Sequence, residues 1–528
     1  MPDLDVATGS LHALLRNAYR VHADRTAIID DFRSLTFADT EAEVRAVIAG
    51  LADAGLEAGD CVAVISAGRS ECAVLDQACF LGGFVRLAIN KRLHPREAAE
   101  ILRLANARAV VVDDEWASGL APELAGIPSL GPMIRLQDRG PDTPAEQWTY
   151  AELVERGRAH RGATPAAGDD RAPAQLSFTS GTTGTPKAAV HDLRAVAASV
   201  RNTIIETGAE RSDVVYTAIP LSHVGGIFVL AYFVRGATQI IAGRFEPDDA
   251  LDALQNRGVT ALITVPAMLT TLNEAMPGHR APHLRRIIYG SSPMQVPDIV
   301  RTNEIFGPVL TQLYGQTESG LPITALGVAD HIWQGDPPPH LASAGRPTPF
   351  VEVLCVDESG GEVPRGDVGE IAVRGDSMMS GYLGNPEATA EVMLEGGWMR
   401  TGDLGRFDDD GRLYLVGRSR DVVISGGFNV YPIEVENVIM TLPSVKEVAV
   451  VGTPHERWGE AVSAAVVLRE GAEFDPDEIE RVCRENLAGF KIPRVIVPFD
   501  ELPRNAVGKV LKKSLGELIA SKTAARHD

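Results

Sequence analysis

Short apolar runs alternate with amphipathic stretches along the first two thirds of the chain. GDCVAVISA (59–67) is a near-continuous apolar run after a Gly-Asp turn, the pattern of a buried strand. HPREAAEILRLANARAVVVDD (94–114) places Pro95 at a helix start, spaces its apolar residues at helical intervals and ends in a Val-rich run. It predicts a helix followed by a strand. The rhythm returns over 235–300 as GATQIIAG, EPDDALDALQNRG and VTALITVP. Helices alternating with short apolar strands predict an α/β fold with largely parallel sheets.

Beyond residue 350 the period changes. VEVLCVDESGGEVPRGDVGEIAVRG holds two alternating runs around a Gly-rich turn, which predicts antiparallel strands. A smaller α+β region follows. PIEVENVIMTLP reads as a helix, VKEVAVVGTP and EAVSAAVVL as strands, and DPDEIERVCRENLAG as a helix with Asp475 as N-cap and Pro476 at its first position. RGATPAAGDDRAPA (161–174) reads as an exposed loop. VGGIFVLAYFV (224–234) is the most apolar run, too short to span a bilayer and therefore assigned to the core.

Length, charge and cysteine usage narrow the classes. At 528 residues the chain predicts two or more domains. Its net charge of −21 argues against nucleic acid or anionic membrane as a partner. The N-terminus carries early acidic residues and no long apolar stretch, unlike a signal peptide, so an integral membrane segment is not expected. Cys61, Cys72, Cys79, Cys355 and Cys483 are odd in number and lack CxxC spacing. They predict plain buried thiols in a reducing, cytoplasmic setting, not disulfides or a zinc site.

Three clusters carry chemistry. In SFTSGTTGTPKAA (177–189), Gly181 precedes Lys187 by the interval of a Walker loop. Pro186 stands where that loop has glycine, and Ala188 where it has Ser or Thr. Proline also lacks the N–H a phosphate needs, so the Walker reading fails. The residues still suit a phosphate grip: Gly181 and Gly184 allow close backbone approach, Ser180, Thr182, Thr183 and Thr185 offer hydroxyls, and Lys187 a charge. A plain surface turn has the same composition. In QLYGQTESG (312–320), Tyr314 could cover a ring, Thr317 donate to a phosphate and Glu318 ligate Mg²⁺, although Thr-Glu is also a common helix start. GWMRTGDLGRFDDDGRLYLVGRSRDVVISGGFNVYP (397–432) sets Asp403, Arg418 and Arg420 along a strand–turn–strand path; a hairpin with solvated charges is the alternative.

These clusters in this order, with PRNAVGKVLKK (503–513) near the end, resemble the acyl-adenylate-forming superfamily and, within it, the acyl-CoA synthetases. The resemblance covers nearly the full length. It implies an α/β fold with a large N-terminal domain of α/β subdomains plus a small β-barrel-like part (1–417), a hinge (418–421) and a small mobile α+β C-terminal domain (422–528). It also implies the reaction. A carboxylate attacks the α-phosphorus of ATP to give an acyl-adenylate and pyrophosphate, and the CoA thiol then displaces AMP. ATP, Mg²⁺ and CoA are the expected cofactors, a small-molecule carboxylic acid the expected partner, and a homodimer is left open.

The resemblance assigns roles residue by residue. The loop from Thr179 through Ser180, Gly181, Thr182, Thr183, Gly184 and Thr185 to Lys187 would hold the β- and γ-phosphates. Gly290, Ser291, Ser292, Gln312, Leu313, Tyr314 and Gly315 would wall the adenine pocket, with Thr317 on the α-phosphate and Glu318 on magnesium. Asp403 and Arg418 would bind the ribose hydroxyls. Lys509 would bridge the attacking carboxylate and the phosphate, Arg420 would be the hinge, and Gly426 and Gly427 would line the CoA tunnel. Phe428 departs from the Glu many relatives carry in GGEN. His223, Val224 and Gly225 of LSHVGG, with Gly226, Ser319 and Leu321, would line the acyl pocket, though a His after such a turn also suits a hydrogen-bonded core. No acidic anchor for an amino group is evident there, which favours a fatty, aromatic or alicyclic acid. The rival reading is an adenylating enzyme that loads a carrier protein.

Overall fold

The computed structural model describes all residues except 1–8, 125, 138–147, 164, 165, 167, 180–185, 277–279, 456, 505–509 and 525–528. The phosphate-loop residues Ser180 to Thr185 and the candidate catalytic Lys509 therefore lie outside the described residues, as does the side chain of His223. The chain divides into two compact units. One comprises Met1–Val353 with Val373–Met399, the other Leu354–Ala372 with Arg400–Asp528.

The first unit contains two large mixed sheets. In the nine-stranded sheet the central run is parallel: Leu310–Gln316, Arg286–Gly290, Ala261–Thr264, Val214–Thr217, Thr238–Ile241 and Thr26–Ile29 lie side by side. Gly320–Leu326 folds back antiparallel on Leu310–Gln316. In the eight-stranded sheet, Pro173–Thr179, Val85–Ile89, Cys61–Ile65, Ala107–Val112, Met133–Arg135 and Trp148–Thr149 run parallel in that order. Beyond Pro173–Thr179 come two antiparallel strands, Lys187–Asp192 and Gly381–Tyr382.

The local rules explain most elements. The strand Cys61–Ile65 is buried at every position, as a parallel strand covered on both faces must be. The helix Pro95–Leu104 begins at His94, whose ring accepts the Arg96 N–H at 3.2 Å while Glu97 accepts the His94 N–H at 2.8 Å. The apolar run 224–234 supplies the helix Gly226–Val234, buried from Phe228 to Phe233. No helix among the described residues is long and apolar enough to cross a membrane. The expected loop 161–174 is shorter by two residues: Pro173 already opens a strand, at the one position where its missing N–H is tolerated.

Most of a four-stranded sheet ordered Val351–Val356, Gly369–Gly375, Met399–Phe407, Leu413–Arg418 falls in the second unit. The C-terminal part of that unit pairs Val445–His455 antiparallel with Gly459–Leu468, over a core that includes Val435, Ile439, Val450, Val462 and Ile479. The helix Pro476–Asn486 is capped as expected: Asp475 Oδ1 accepts the Asp477 and Glu478 N–H groups at 3.0 Å each. A cap of this kind contributes about 1 kcal/mol. All five cysteines are buried and free. Burial pushes the thiols of Cys61 and Cys72 up to about 12 and those of Cys355 and Cys483 up to about 11, so they stay protonated and unreactive.

Candidate active site

The glycine-rich loop closes a hairpin. Thr179 ends the parallel strand Pro173–Thr179, Lys187 opens the returning strand Lys187–Asp192, and the two residues are register partners. A Walker loop runs on into a helix, whose N-terminus holds the phosphate. Here a strand, Lys187–Asp192, follows instead, so no helix N-terminus stands at this point of the chain.

The Thr317–Glu318 pair begins no helix. Residues 317–319 form the turn between Leu310–Gln316 and Gly320–Leu326. Residues 377–379 clamp this turn: the Met379 N–H donates to the Glu318 carbonyl at 2.8 Å, and the Ser377 hydroxyl donates to the Ser319 carbonyl at 2.9 Å. Gly320 is required there, with φ +73 and a Cβ that would stand 2.5 Å from the Ser377 carbonyl oxygen. Ser319 is 1% exposed, its hydroxyl turned onto the Gly320 carbonyl at 3.2 Å.

The two turns meet at Glu318. Its Oε1 accepts the Thr179 hydroxyl at 3.3 Å and the Tyr382 hydroxyl at 3.1 Å. The Lys187 ammonium lies 5.4 Å from the centre of the Tyr382 ring, a cation–π contact. Burial, then the Glu318 charge, raises the Tyr382 phenol far above its ordinary value, so it donates as a neutral hydroxyl. Nothing local in SGYLGNPE marks Tyr382. It arrives through a two-residue strand in which Tyr382 pairs with Ala189 and Gly381 with Val190.

Several candidates sit at carboxyl ends of parallel strands, where open α/β sheets bind ligands. Gly290 ends Arg286–Gly290 opposite Leu313, and a Cβ there would stand 2.4 Å from the Leu313 carbonyl oxygen. Ser291 follows with φ +70, a left-handed conformation that costs a non-glycine residue about 1–2 kcal/mol. Ser291 and Ser292 are exposed, Leu313 is buried and Tyr314 is half-buried. Gln312 is tied by the Tyr289 hydroxyl at 3.0 Å and donates to the Ser343 carbonyl at 3.3 Å. Gly315 sits at a register shift, where a Cβ would stand 2.7 Å from Leu321 Cδ1. Val224 and Leu321 pack on one apolar cluster with Leu313, Ile219 and Phe228. Residues Leu221–Gly225 form a π-helical turn that the sequence pattern did not reveal.

His191, two residues past Ala189, went unremarked in the sequence. It is 5% exposed, and among the described residues neither ring nitrogen has a hydrogen-bond partner. Burial pushes its pKa down to about 4, with the Thr317 carbonyl opposing.

In the second unit, Asp403 and Arg418 are register partners of one hairpin, and Arg418 Nε lies 3.2 Å from Asp403 Oδ1. Arg420 is exposed in the 3-10 turn Ser419–Asp421. Gly426 and Gly427, with φ +60 and +84, form the two-residue turn between Val423–Ser425 and Phe428–Val430, the geometry that selects glycine in a tight hairpin. Phe428 stacks on Phe490 at 4.7 Å.

Parallel α/β sheets with a Thr-Glu turn in the first unit, and an Asp–Arg hairpin in the second, are the class of fold and site that the family comparison identifies. Residues 15–383 match the AMP-binding enzyme family and residues 434–509 the AMP-binding enzyme C-terminal domain. The chain belongs to the AMP-binding enzyme family and, with its relatives, to the AMP-forming acid–thiol ligases. It is 31% identical to a medium/long-chain-fatty-acid–CoA ligase of Mycobacterium tuberculosis, over 95% of this chain and 89% of that one. It is 32% identical to an indoleacetate–CoA ligase of Aromatoleum aromaticum, over 94% and 96%. Among solved structures, ATP-bound MatB of Rhodopseudomonas palustris is 30% identical, with TM-score 0.84 over 96% of this chain and 99% of that one.

Two outcomes test this geometry. Tyr382→Phe removes one charge-assisted hydrogen bond to Glu318 while keeping the ring under Lys187. It should lower kcat/KM for ATP about tenfold or more, with the thermal midpoint nearly unchanged. A neutral buried His191 binds fewer protons than the unfolded chain between pH 6.5 and about 4, so the stability it permits is lost as pH falls through that window. His191→Leu should therefore lose about 2–3 kcal/mol less than the wild type between pH 7 and 4.5. Burial also lowers His22 and His331, but they remain in both proteins and cancel in the comparison.

Proposed function

We propose that the protein is an ATP-dependent acyl-CoA synthetase. It activates a fatty, aromatic or alicyclic carboxylic acid as the acyl-adenylate with release of pyrophosphate, then transfers the acyl group to CoA with release of AMP. The observation that carries this reading is the meeting of Thr179, Lys187, Glu318 and Tyr382, which joins the hydroxyl-rich hairpin to the Thr-Glu turn.

The chemistry asks for positioning and charge control. A carboxylate is a poor electrophile, and adenylation converts its oxygen into a leaving group. The barrier of nucleotidyl transfer falls mainly through alignment and neutralisation of phosphate charge. Lys187 supplies a cation held against an aromatic face, and Thr179 and Thr317 supply hydroxyl donors at the ends of two strands. The loop 180–185 would hold the departing pyrophosphate. Lys509 would then neutralise charge between carboxylate and α-phosphate, Asp403 and Arg418 would hold the ribose, and Gly426 and Gly427 would line the path of CoA.

Magnesium fits one point of this set. Both recorded bonds to Glu318 fall on Oε1, and no group of three or more His, Cys, Asp or Glu among the described residues could hold a metal ion. A lone carboxylate suits Mg²⁺ that takes its other oxygens from substrate phosphates and water. When bound, it would supply charge neutralisation to the triphosphate. The buried, protonated thiols are consistent with a reducing cytoplasm.

Mass spectrometry of products tests the reading, using the full chain with ATP, Mg²⁺, CoA and a panel of fatty, aromatic and alicyclic acids. A CoA thioester with matching AMP is expected. Acyl-adenylate without thioester would transfer the assignment to a carrier-protein ligase, and no acid-dependent AMP from any acid would overturn it. Lys509→Ala should lose adenylation by several hundredfold while still forming thioester from supplied acyl-adenylate. Parallel loss of both steps in a folded protein would remove Lys509 from its role.

A further inference from the structure

The first unit buries an ion pair away from solvent, between a strand and a helix. Arg86, on the strand Val85–Ile89, is 3% exposed, and Asp76, in the helix Ser70–Gly82, is 5% exposed. Arg86 Nε meets Asp76 Oδ1 at 2.6 Å. A buried pair of this kind is commonly no more stabilising than apolar side chains of equal volume, because desolvation cancels much of the attraction. Its retention points to something the guanidinium holds.

Arg86 holds two things. Nη2 donates to the Leu221 carbonyl at 2.8 Å, and Nη1 reaches Gln175 Oε1 at 3.4 Å. Leu221 opens the π-helical turn Leu221–Gly225, which carries the acyl-pocket candidates Val224 and Gly225. Gln175 is the register partner of Arg86 on Pro173–Thr179, the strand that leads into the phosphate loop, and its amide donates to Ser177 Oγ at 3.0 Å. One planar fork thus ties the acyl-side turn to the strand of the nucleotide site.

The packing agrees. A Cβ at Gly226 would stand 3.0 Å from Arg86 Nη2, 3.0 Å from the Leu221 carbonyl oxygen and 3.3 Å from Asp76 Oδ2. A Cβ at Gly225 would stand 2.6 Å from the Pro220 carbonyl oxygen. The Gly-Gly pair therefore lets the turn settle onto the ion pair. A π-helical turn is an uncommon conformation, frequent at functional sites, and it needs outside support to persist.

We infer that Arg86, braced by Asp76, is a positioning residue for the acyl site: its bond to the Leu221 carbonyl fixes the π-helical turn and so sets which carboxylic acids are accepted. The inference rests on the acyl-CoA synthetase reading, with the turn as part of the acid's pocket. Arg86 touches no reacting atom in this role. It acts on the acid through the turn, and on ATP only through the more distant Gln175–Ser177 link.

Steady-state kinetics on the full-length protein test this, with KM for the acid and KM for ATP measured separately across the acid panel. Arg86→Lys keeps a positive charge beside Asp76, but an ammonium cannot reproduce the fork to Leu221 and Gln175. The double variant Asp76→Leu/Arg86→Met removes both charges together, leaving none uncompensated. Each should raise the acid KM about tenfold or more and reorder the preferred acids, with ATP KM within about twofold and a thermal midpoint that reports a folded protein. Gly226→Ala should shift acid KM in the same direction. If the double variant fails to fold, Arg86→Lys decides. A folded Arg86→Lys with unchanged acid KM and acid order would overturn the inference, as would equal rises in acid and ATP KM. A wild type with no acid-dependent turnover would overturn the underlying reading instead, and the inference with it.

Discussion

The strand Lys187–Asp192 is paired on both sides, and the site follows from that constraint. On one side it returns antiparallel to Pro173–Thr179, so Thr179 and Lys187 stand opposite each other across the mouth of the loop. On the other it takes up Gly381–Tyr382, a strand nearly two hundred residues away in sequence, which sets Tyr382 beside Ala189. Register does the placing. A slip of one residue would turn Lys187 and Tyr382 to opposite faces, and no loop chemistry could restore their contact.

Once these side chains converge, Glu318 becomes the junction of the two sheets of the first unit. Its carboxylate takes one hydroxyl from each end of the doubly paired strand system, Thr179 from one neighbour and Tyr382 from the other. The turn that presents it is held independently by the Met379 N–H and the Ser377 hydroxyl, so the carboxylate is aimed before any ligand arrives. Such preorganisation matters in a reaction whose catalysis is mostly alignment, since the protein then spends little reorganisation at the moment of transfer.

Much of this was legible in the sequence because it is local. The helix starts at Pro95 and Pro476, the buried strand 61–65, the burial of the apolar run 224–234 and the strand–turn–strand path of Asp403 and Arg418 all follow from short-range periodicity, caps and turn chemistry. Composition singled out the segments 177–189 and 312–320 as candidates, while leaving a plain turn open for the first and a helix start for the second. Tyr382 was not singled out, because its role depends on a long-range two-residue pairing. The ion pair Asp76–Arg86 went unremarked, since a sequence does not say which charge is buried against which. The π-helical turn was hidden for a related reason: Pro-Leu-Ser-His-Val-Gly-Gly carries turn and helix signals together, and packing against Arg86 decides between them.

The features that escaped local reading are also the ones local rules disfavour. Ser291 is left-handed without being glycine, His191 is buried without a described partner, Arg86 and Asp76 are charges in a core, and Leu221–Gly225 is π-helical. Each costs stability by itself, of the order of 1–3 kcal/mol for a strained backbone. Ser291 follows the carboxyl end of a parallel strand, His191 lies under the Thr317 turn, and the Arg86 fork joins the π-helical turn to the strand of the phosphate loop. Two sheets of eight and nine strands supply the cohesion that tolerates these costs. A stable core of this size can hold a segment in a shape the local sequence would not choose.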